Sequence, residues 1–112
     1  MTDQESEILS RYELLLRLTE RMHVAASAED WPSVVALEVE RSTHIAALQH
    51  LDSLIVPQNT AYLSEKQRLL ERTIDADQSL LNTCKERRRE LEEIIRSFPA
   101  YRKAAKSYDD NR

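Results

Sequence analysis

The sequence predicts an all-α fold: an antiparallel three-helix bundle with a long third helix and a short C-terminal fourth helix. Three observations predict it. Glycine is absent, and the three prolines stand at 32, 57 and 99, where they punctuate otherwise continuous runs of helix formers. Apolar residues recur every three or four positions within those runs. The connectors are short, which forces neighbouring helices to run antiparallel.

The first helix is expected over about residues 4–28. Ile8, Tyr12, Leu15, Thr19, Met22 and Ala26 follow the spacing of one face. Glu29-Asp30-Trp31-Pro32 interrupts it. The Asp30 carboxylate can cap the next helix, and Pro32 is tolerated in a first turn, where N–H groups lack helical partners. The second helix is expected over about 31–55, with Val34, Leu37, Ile45, Leu48, Leu51 and Ile55 on one side, ending at Val56-Pro57-Gln58-Asn59. Thr60 is the expected cap of a third helix reaching Phe98, about 58 Å at 1.5 Å per residue. Pro99 breaks it. The fourth helix is expected over about 100–108, some two turns, with a frayed Asp109-Asp110-Asn111-Arg112 tail. The third helix is longer than its partners. Its far end must overhang, or be covered by the fourth helix or by another chain.

The 112 residues allow one small domain, residues 1–112. Sixteen Lys+Arg stand against twenty Asp+Glu, a formal charge of −4, which argues against nucleic-acid binding through the phosphate backbone. Residues 1–60 carry 4 basic and 10 acidic side chains, residues 61–112 carry 12 and 10. Without glycine there is no phosphate-cradling loop, dinucleotide fingerprint or nucleophile elbow. Cys84 is the only cysteine, so neither a disulfide framework nor a thiolate zinc site is expected. No apolar run approaches the roughly 20 residues of a membrane span. Met1-Thr2-Asp3-Gln4-Glu5 is unlike a signal peptide. These features point to a small, soluble, cytoplasmic helical protein with no expected cofactor and no membrane insertion.

The polar residues inside apolar faces have structural readings. Mirroring the chain about Pro57 brings Arg41 beside positions 74–77, so Arg41 and Asp77 are an expected structural ion pair. His23, His44 and His50 show no metal-ligand spacing with carboxylates and read as solvated or locally hydrogen-bonded. Cys84 has apolar neighbours and reads as an inert core thiol. Arg87-Arg88-Arg89 sits among as many acidic as basic residues and fans out by 100° per residue, so it reads as a solvated, salt-bridged face.

One feature hints at a partner. The apolar residues of the third helix fill an arc of about 160°, against the roughly 100° stripe of an ordinary surface helix. One edge holds Leu63, Leu70, Ile74 and Leu81; the other holds Leu69, Leu80, Ile94 and Phe98. Two neighbouring helices can require so wide a face. Alternatively, one edge or the overhang is a docking groove for a partner helix.

Two resemblances bear on this choice. Asp77-x-x-Leu80-Leu81 followed by Glu86-Arg87-Arg88 looks like the opening of the helical chorismate mutases, but Pro99 interrupts the short stretch that follows, where the family places its catalytic helices. A second likeness spans nearly the whole chain. Asp30-Trp31 opens the second helix, which carries Leu37-Glu38-Val39-Glu40-Arg41. The long helix carries Ile74-Asp75-Ala76-Asp77-Gln78 and Arg87-Arg88-Arg89-Glu90-Leu91-Glu92-Glu93-Ile94-Ile95, and the chain closes with Lys103-Ala104-Ala105-Lys106-Ser107-Tyr108. This order and spacing resemble the FliT family of flagellar export chaperones. The resemblance implies a cytoplasmic, non-enzymatic protein that binds the C-terminal region of the filament-cap protein FliD, holds it monomeric and delivers it to the type III export gate. It implies a client-binding groove at Leu70, Ile74 and Leu81 and a contact of Tyr108 with the export-gate protein FlhA. Some members also bind the FlhDC activator or the export ATPase complex, and in the family a C-terminal helix covers the client surface. An unrelated helical-bundle adaptor, or a regulatory homodimer that hides the same surface against itself, is the alternative.

Overall fold

A computed structural model describes residues 1–56 and 59–110, the side chains of 101 and 108–110 excepted. Four helices follow one another: α1 (Asp3–Ser27), α2 (Trp31–Ser53), α3 (Thr60–Ser97) and α4 (Pro99–Asp110). The described residues contain no strand.

Local chemistry sets each boundary. Thr2 and Glu5 form a reciprocal capping box at the start of α1: Glu5 N–H donates to Thr2 Oγ1, and Thr2 N–H donates to Glu5 Oε1. At the other end, Glu29 N–H donates to the Ala26 carbonyl and Asp30 N–H to the Ala25 carbonyl. This closing pattern requires a left-handed residue. A chain without glycine gives that place to Glu29, at φ 59°. Asp30 then caps α2, accepting from Ser33 N–H, with Pro32 in the first turn. The cap of α3 is Asn59, not Thr60: Asn59 Oδ1 accepts from Ala61 and Tyr62 N–H, and Thr60 is the first helical residue. An amide oxygen caps at least as well as a hydroxyl and tolerates the extended backbone there.

The α3–α4 break lies at Phe98, whose ψ of 131° is extended. Proline disfavours a helical backbone in the residue before it. Pro99 itself suits a first turn, so it opens α4 rather than merely ending α3. With Pro99 at one end and Asp109 and Asp110 at the other, α4 has 12 residues, more than the two turns expected. Asp109 and Asp110 belong to it, while Asn111 and Arg112 lie outside the described residues.

α1 is the shared partner. Its backbone packs closely against both α2 and α3, whereas α2 and α3 make no close backbone contact with each other among the described residues. Cross-helix pairs fix direction. Tyr12 and Asp52, and Arg41 and Thr19, set α2 antiparallel to α1; His23–Thr83 and Arg87–Ser27 set α3 parallel to α1. Two apolar clusters lie along α1. One joins Ile8, Leu9, Tyr12, Leu15 and Leu16 to Leu48, Tyr62 and Leu69. The other joins Leu18, Met22 and Ala26 to Leu37 and Leu80. Every position of the stripe Ile8–Ala26 is buried.

Polar side chains bridge the gap between α2 and α3. Arg41 reaches Asp77, with Glu38 and Thr19 as further partners. Asp52 accepts from Tyr12 OH at 2.6 Å and from Lys66 Nζ at 3.1 Å. Lys66 also lies over the Tyr12 and Tyr62 rings. Burial raises the Tyr12 hydroxyl's pKa well above the ordinary 10.0, and the hydrogen bond and negative charge of Asp52 raise it further.

Candidate functional site

α1 ends at Ser27, while α3 runs on to Ser97. The Arg87 guanidinium marks the boundary: it donates to the Ser27 carbonyl and pairs with Glu90, which raises its pKa. Up to this point α3 turns Tyr62, Leu69, Thr73 and Leu80 into the core. Beyond it Leu91, Ile94, Ile95 and Phe98 are all exposed. Leu69, Leu80, Ile94 and Phe98 share one angular edge of α3, so what separates them is only where α1 stops.

The edge expected to bind a client lies on the α2 side of α3. Its members differ in burial. Leu70 is half-buried and packs against the core beside Ile45 and Leu51. Ile74 and Leu81 are open to solvent, at 64% and 47% exposure, with Leu63 at 43%. The row is thus an exposed apolar strip with one root in the core. Asp77, between Ile74 and Leu81, is held by Arg41 at 2.5 Å.

An apolar concavity lies on the other edge. A cleft of about 320 Å³ is bounded by Glu29 from the α1–α2 turn, by Trp31 at the start of α2, and by Cys84, Arg88, Leu91 and Ile94 from α3. Sequence reasoning grouped Cys84 with the core. The thiol is half-buried against the Leu18–Met22 cluster and also borders this cleft. The mirroring about Pro57 that pairs Arg41 with Asp77 would place Trp31 opposite about residues 84–87, and that signal could have found the cleft.

The remaining candidates are structural. His23 Nε2 meets Thr83 Oγ1 at 2.9 Å, joining α1 to α3. Arg88 pairs with Glu92, so the arginine run is salt-bridged at Arg87 and Arg88. Among the described residues no three His, Cys, Asp or Glu side chains group as metal ligands, and no helix is long and apolar enough to cross a membrane. Among the described residues α4 contacts α3 and neither α1 nor α2, and its described side chains, residues 99–100 and 102–107, are exposed. Tyr108 falls in α4, but its side chain lies outside the described residues.

A helical layer that leaves apolar helix faces open among its described residues has the architecture of a helical docking protein. The chain matches the family described as flagellar protein FliT over residues 9–110. It belongs to the FliT family, which supports a flagellar export chaperone role. No curated protein matches it, and neither does any solved structure.

Proposed function

We propose that this protein is a cytoplasmic chaperone that binds the C-terminal region of the filament-cap protein FliD, keeps it monomeric and delivers it to the flagellar type III export gate. The observation that carries this reading is the apolar strip that α3 leaves in solvent, Ile74 and Leu81 with Leu70 at its root, in a chain of the FliT family. An amphipathic client helix laid along it would exchange exposed apolar surface for contact. Burial of about 600 Å² would yield roughly 15 kcal/mol gross at 25 cal/mol/Å². Ordering and association costs remove much of that, leaving micromolar to nanomolar binding that still permits release. Tyr108, on the helix that projects from the bundle, is the proposed contact with FlhA. FlhDC and the export ATPase complex, also implied by the resemblance, have no feature of this chain to favour them.

Isothermal titration with a FliD C-terminal fragment at physiological salt tests the reading. Saturable one-to-one binding, weakened about tenfold or more by Ile74→Asp or Leu81→Asp, is expected. Unchanged affinity in both variants removes the strip from the site. No binding by the folded wild type overturns the client assignment, and a concentration-independent dimer in that case favours the homodimer. Tyr108→Ala should keep client affinity and weaken FlhA binding; unaltered FlhA affinity counts against that role.

A further inference from the structure

We infer that the overhanging end of α3 is a second seat for the client: it takes one amphipathic helix of the export substrate, placed in line with α1 and parallel to α3, with an acidic C-terminal end. The inference rests on the chaperone reading and adds a site to it.

The first argument is continuity with an established interface. Leu69, Leu80, Leu91, Ile94 and Phe98 fall on one seam of α3 by the 100° rotation per residue. α1 fills that seam from the Tyr62 end to the Arg87–Ser27 contact. The seam then continues for about three turns on which, among the described residues, no helix packs, and the Trp31–Leu91–Ile94 cleft opens where α1 leaves off. A helix with apolar residues at i, i+3 or i+4 and i+7 would meet the same kind of surface that α1 meets.

The second argument is charge. The C-terminus of α1 carries the negative end of its helix dipole, which favours the N-terminus of the next helix in line. That sets the occupant parallel to α3 and puts its own negative end beside α4. α4 carries Arg102, Lys103 and Lys106 in its first two turns, next to the end of α3, and its two acids, Asp109 and Asp110, only at its far end. Arg102 is already anchored at this end, donating to the Ser97 carbonyl at 2.8 Å. A partner helix ending in Asp, Glu or a free carboxylate complements both poles.

The third argument is area. Two copies meeting through Leu91, Ile94, Ile95 and Phe98 would bury only four part-exposed side chains each. A standard stable interface needs about 800 Å² per partner. A client that also lies on the Ile74–Leu81 strip gains area from both sites; a second copy using the overhang alone does not.

Cys84 and Trp31, the only cysteine and the only tryptophan in the chain, both border the cleft and are built-in reporters. The experiment titrates the full chain with a FliD C-terminal fragment, following heat, Trp31 emission and the rate at which a disulfide reagent modifies Cys84. Saturating fragment is expected to shift Trp31 emission to the blue and slow Cys84 modification about tenfold. Ile94→Asp with Phe98→Asp, two exposed positions, should weaken binding about tenfold and abolish the protection with the circular dichroism unchanged. Arg102→Glu with Lys103→Glu and Lys106→Glu should weaken binding about threefold or more and flatten its dependence on salt. Fragment binding that leaves Cys84 unprotected and ignores Ile94→Asp overturns the second seat while the chaperone reading stands. Absence of any binding overturns both. Cys84 protection that grows with protein concentration in the absence of fragment assigns the seat to a second copy and overturns the inference. Insensitivity to the α4 reversal overturns the orientation.

Discussion

The Arg41 guanidinium reaches the Asp77 carboxylate across the space between α2 and α3, two helices whose backbones each lie close to α1 but, among the described residues, not to one another. Arg41 is the more buried of the two, at 16% side-chain exposure against 49% for Asp77, and it also holds Thr19 of α1 and Glu38. The two ends of this bridge should therefore differ in cost. Asp77→Ala removes one half-exposed partner and should cost under about 1 kcal/mol. Arg41→Ala removes contacts to three helices and the packing of the stem, and should cost about 2 kcal/mol. Urea unfolding of both single variants and the double variant checks this. A coupling energy indistinguishable from zero would show the bridge to be decorative.

The Tyr12–Asp52–Lys66 contact joins all three long helices, and it makes stability depend on alkaline pH. The folded-state pKa of Tyr12 is raised by burial first and by Asp52 second. A raised pKa means that the unfolded chain gives up the phenolic proton first. The stabilisation is fully present below the unfolded value near 10.0 and falls as pH rises beyond it. Urea midpoints measured at pH 8.5 and about 10.8 should drop in the wild type, and less in Tyr12→Phe. Tyr62, also raised by burial, retains part of the slope. Equal slopes in the two proteins would refute the assignment to Tyr12.

Much of this architecture is legible in the sequence because it depends on spacing within a helix. The stripe Ile8, Tyr12, Leu15, Thr19, Met22 and Ala26 is buried throughout, since α1 has a neighbour on each side of that face. The Arg41–Asp77 register follows from counting outward from one turn. What periodicity cannot report is where a partner helix ends. Ile94 and Phe98 repeat the angular position of Leu69 and Leu80, yet only the latter pair is buried, because α1 stops at Ser27. The cleft at Trp31 depends on the same endpoint. The start of α4 is hidden when Pro99 is taken as a terminator, because the constraint falls on Phe98 before it.

Glu29 occupies a left-handed backbone position, φ 59°, that closes α1 and aims α2. Glycine meets that requirement without a Cβ penalty. Glu29→Gly should raise stability by about 0.5–1 kcal/mol in urea unfolding, even though most glycine substitutions in helical proteins destabilise. A loss of stability would mean that the side chain contributes more at the cleft mouth than its backbone strain costs.

The strip that the family resemblance designates is uneven, and variants of it should separate folding from binding. Ile74 and Leu81 are exposed, so an aspartate at either position should move the unfolding midpoint by under about 0.5 kcal/mol. Leu70 packs against the core cluster, and Leu70→Asp should cost about 2 kcal/mol or more, because a carboxylate would be drawn from water without a partner. Thermal unfolding beside client titration checks the distinction. Binding lost in Leu70→Asp alone would report damage to the bundle rather than removal of a contact.

The last relationship concerns α4. Among the described residues it touches α3 alone, its described side chains face solvent, and it is joined through an extended Phe98 rather than through a packed turn. A helix so placed contributes little to the cooperative unit. Truncation after Phe98 should shift the unfolding free energy by less than about 0.5 kcal/mol, and amides of residues 102–107 should exchange far faster than those of residues 62–80. If α4 instead folds back over an apolar face of α3 in solution, truncation will destabilise the bundle and slow exchange will extend past Pro99. Exchange rates measured on the intact chain distinguish the two directly, because a covering helix must be protected for as long as it covers.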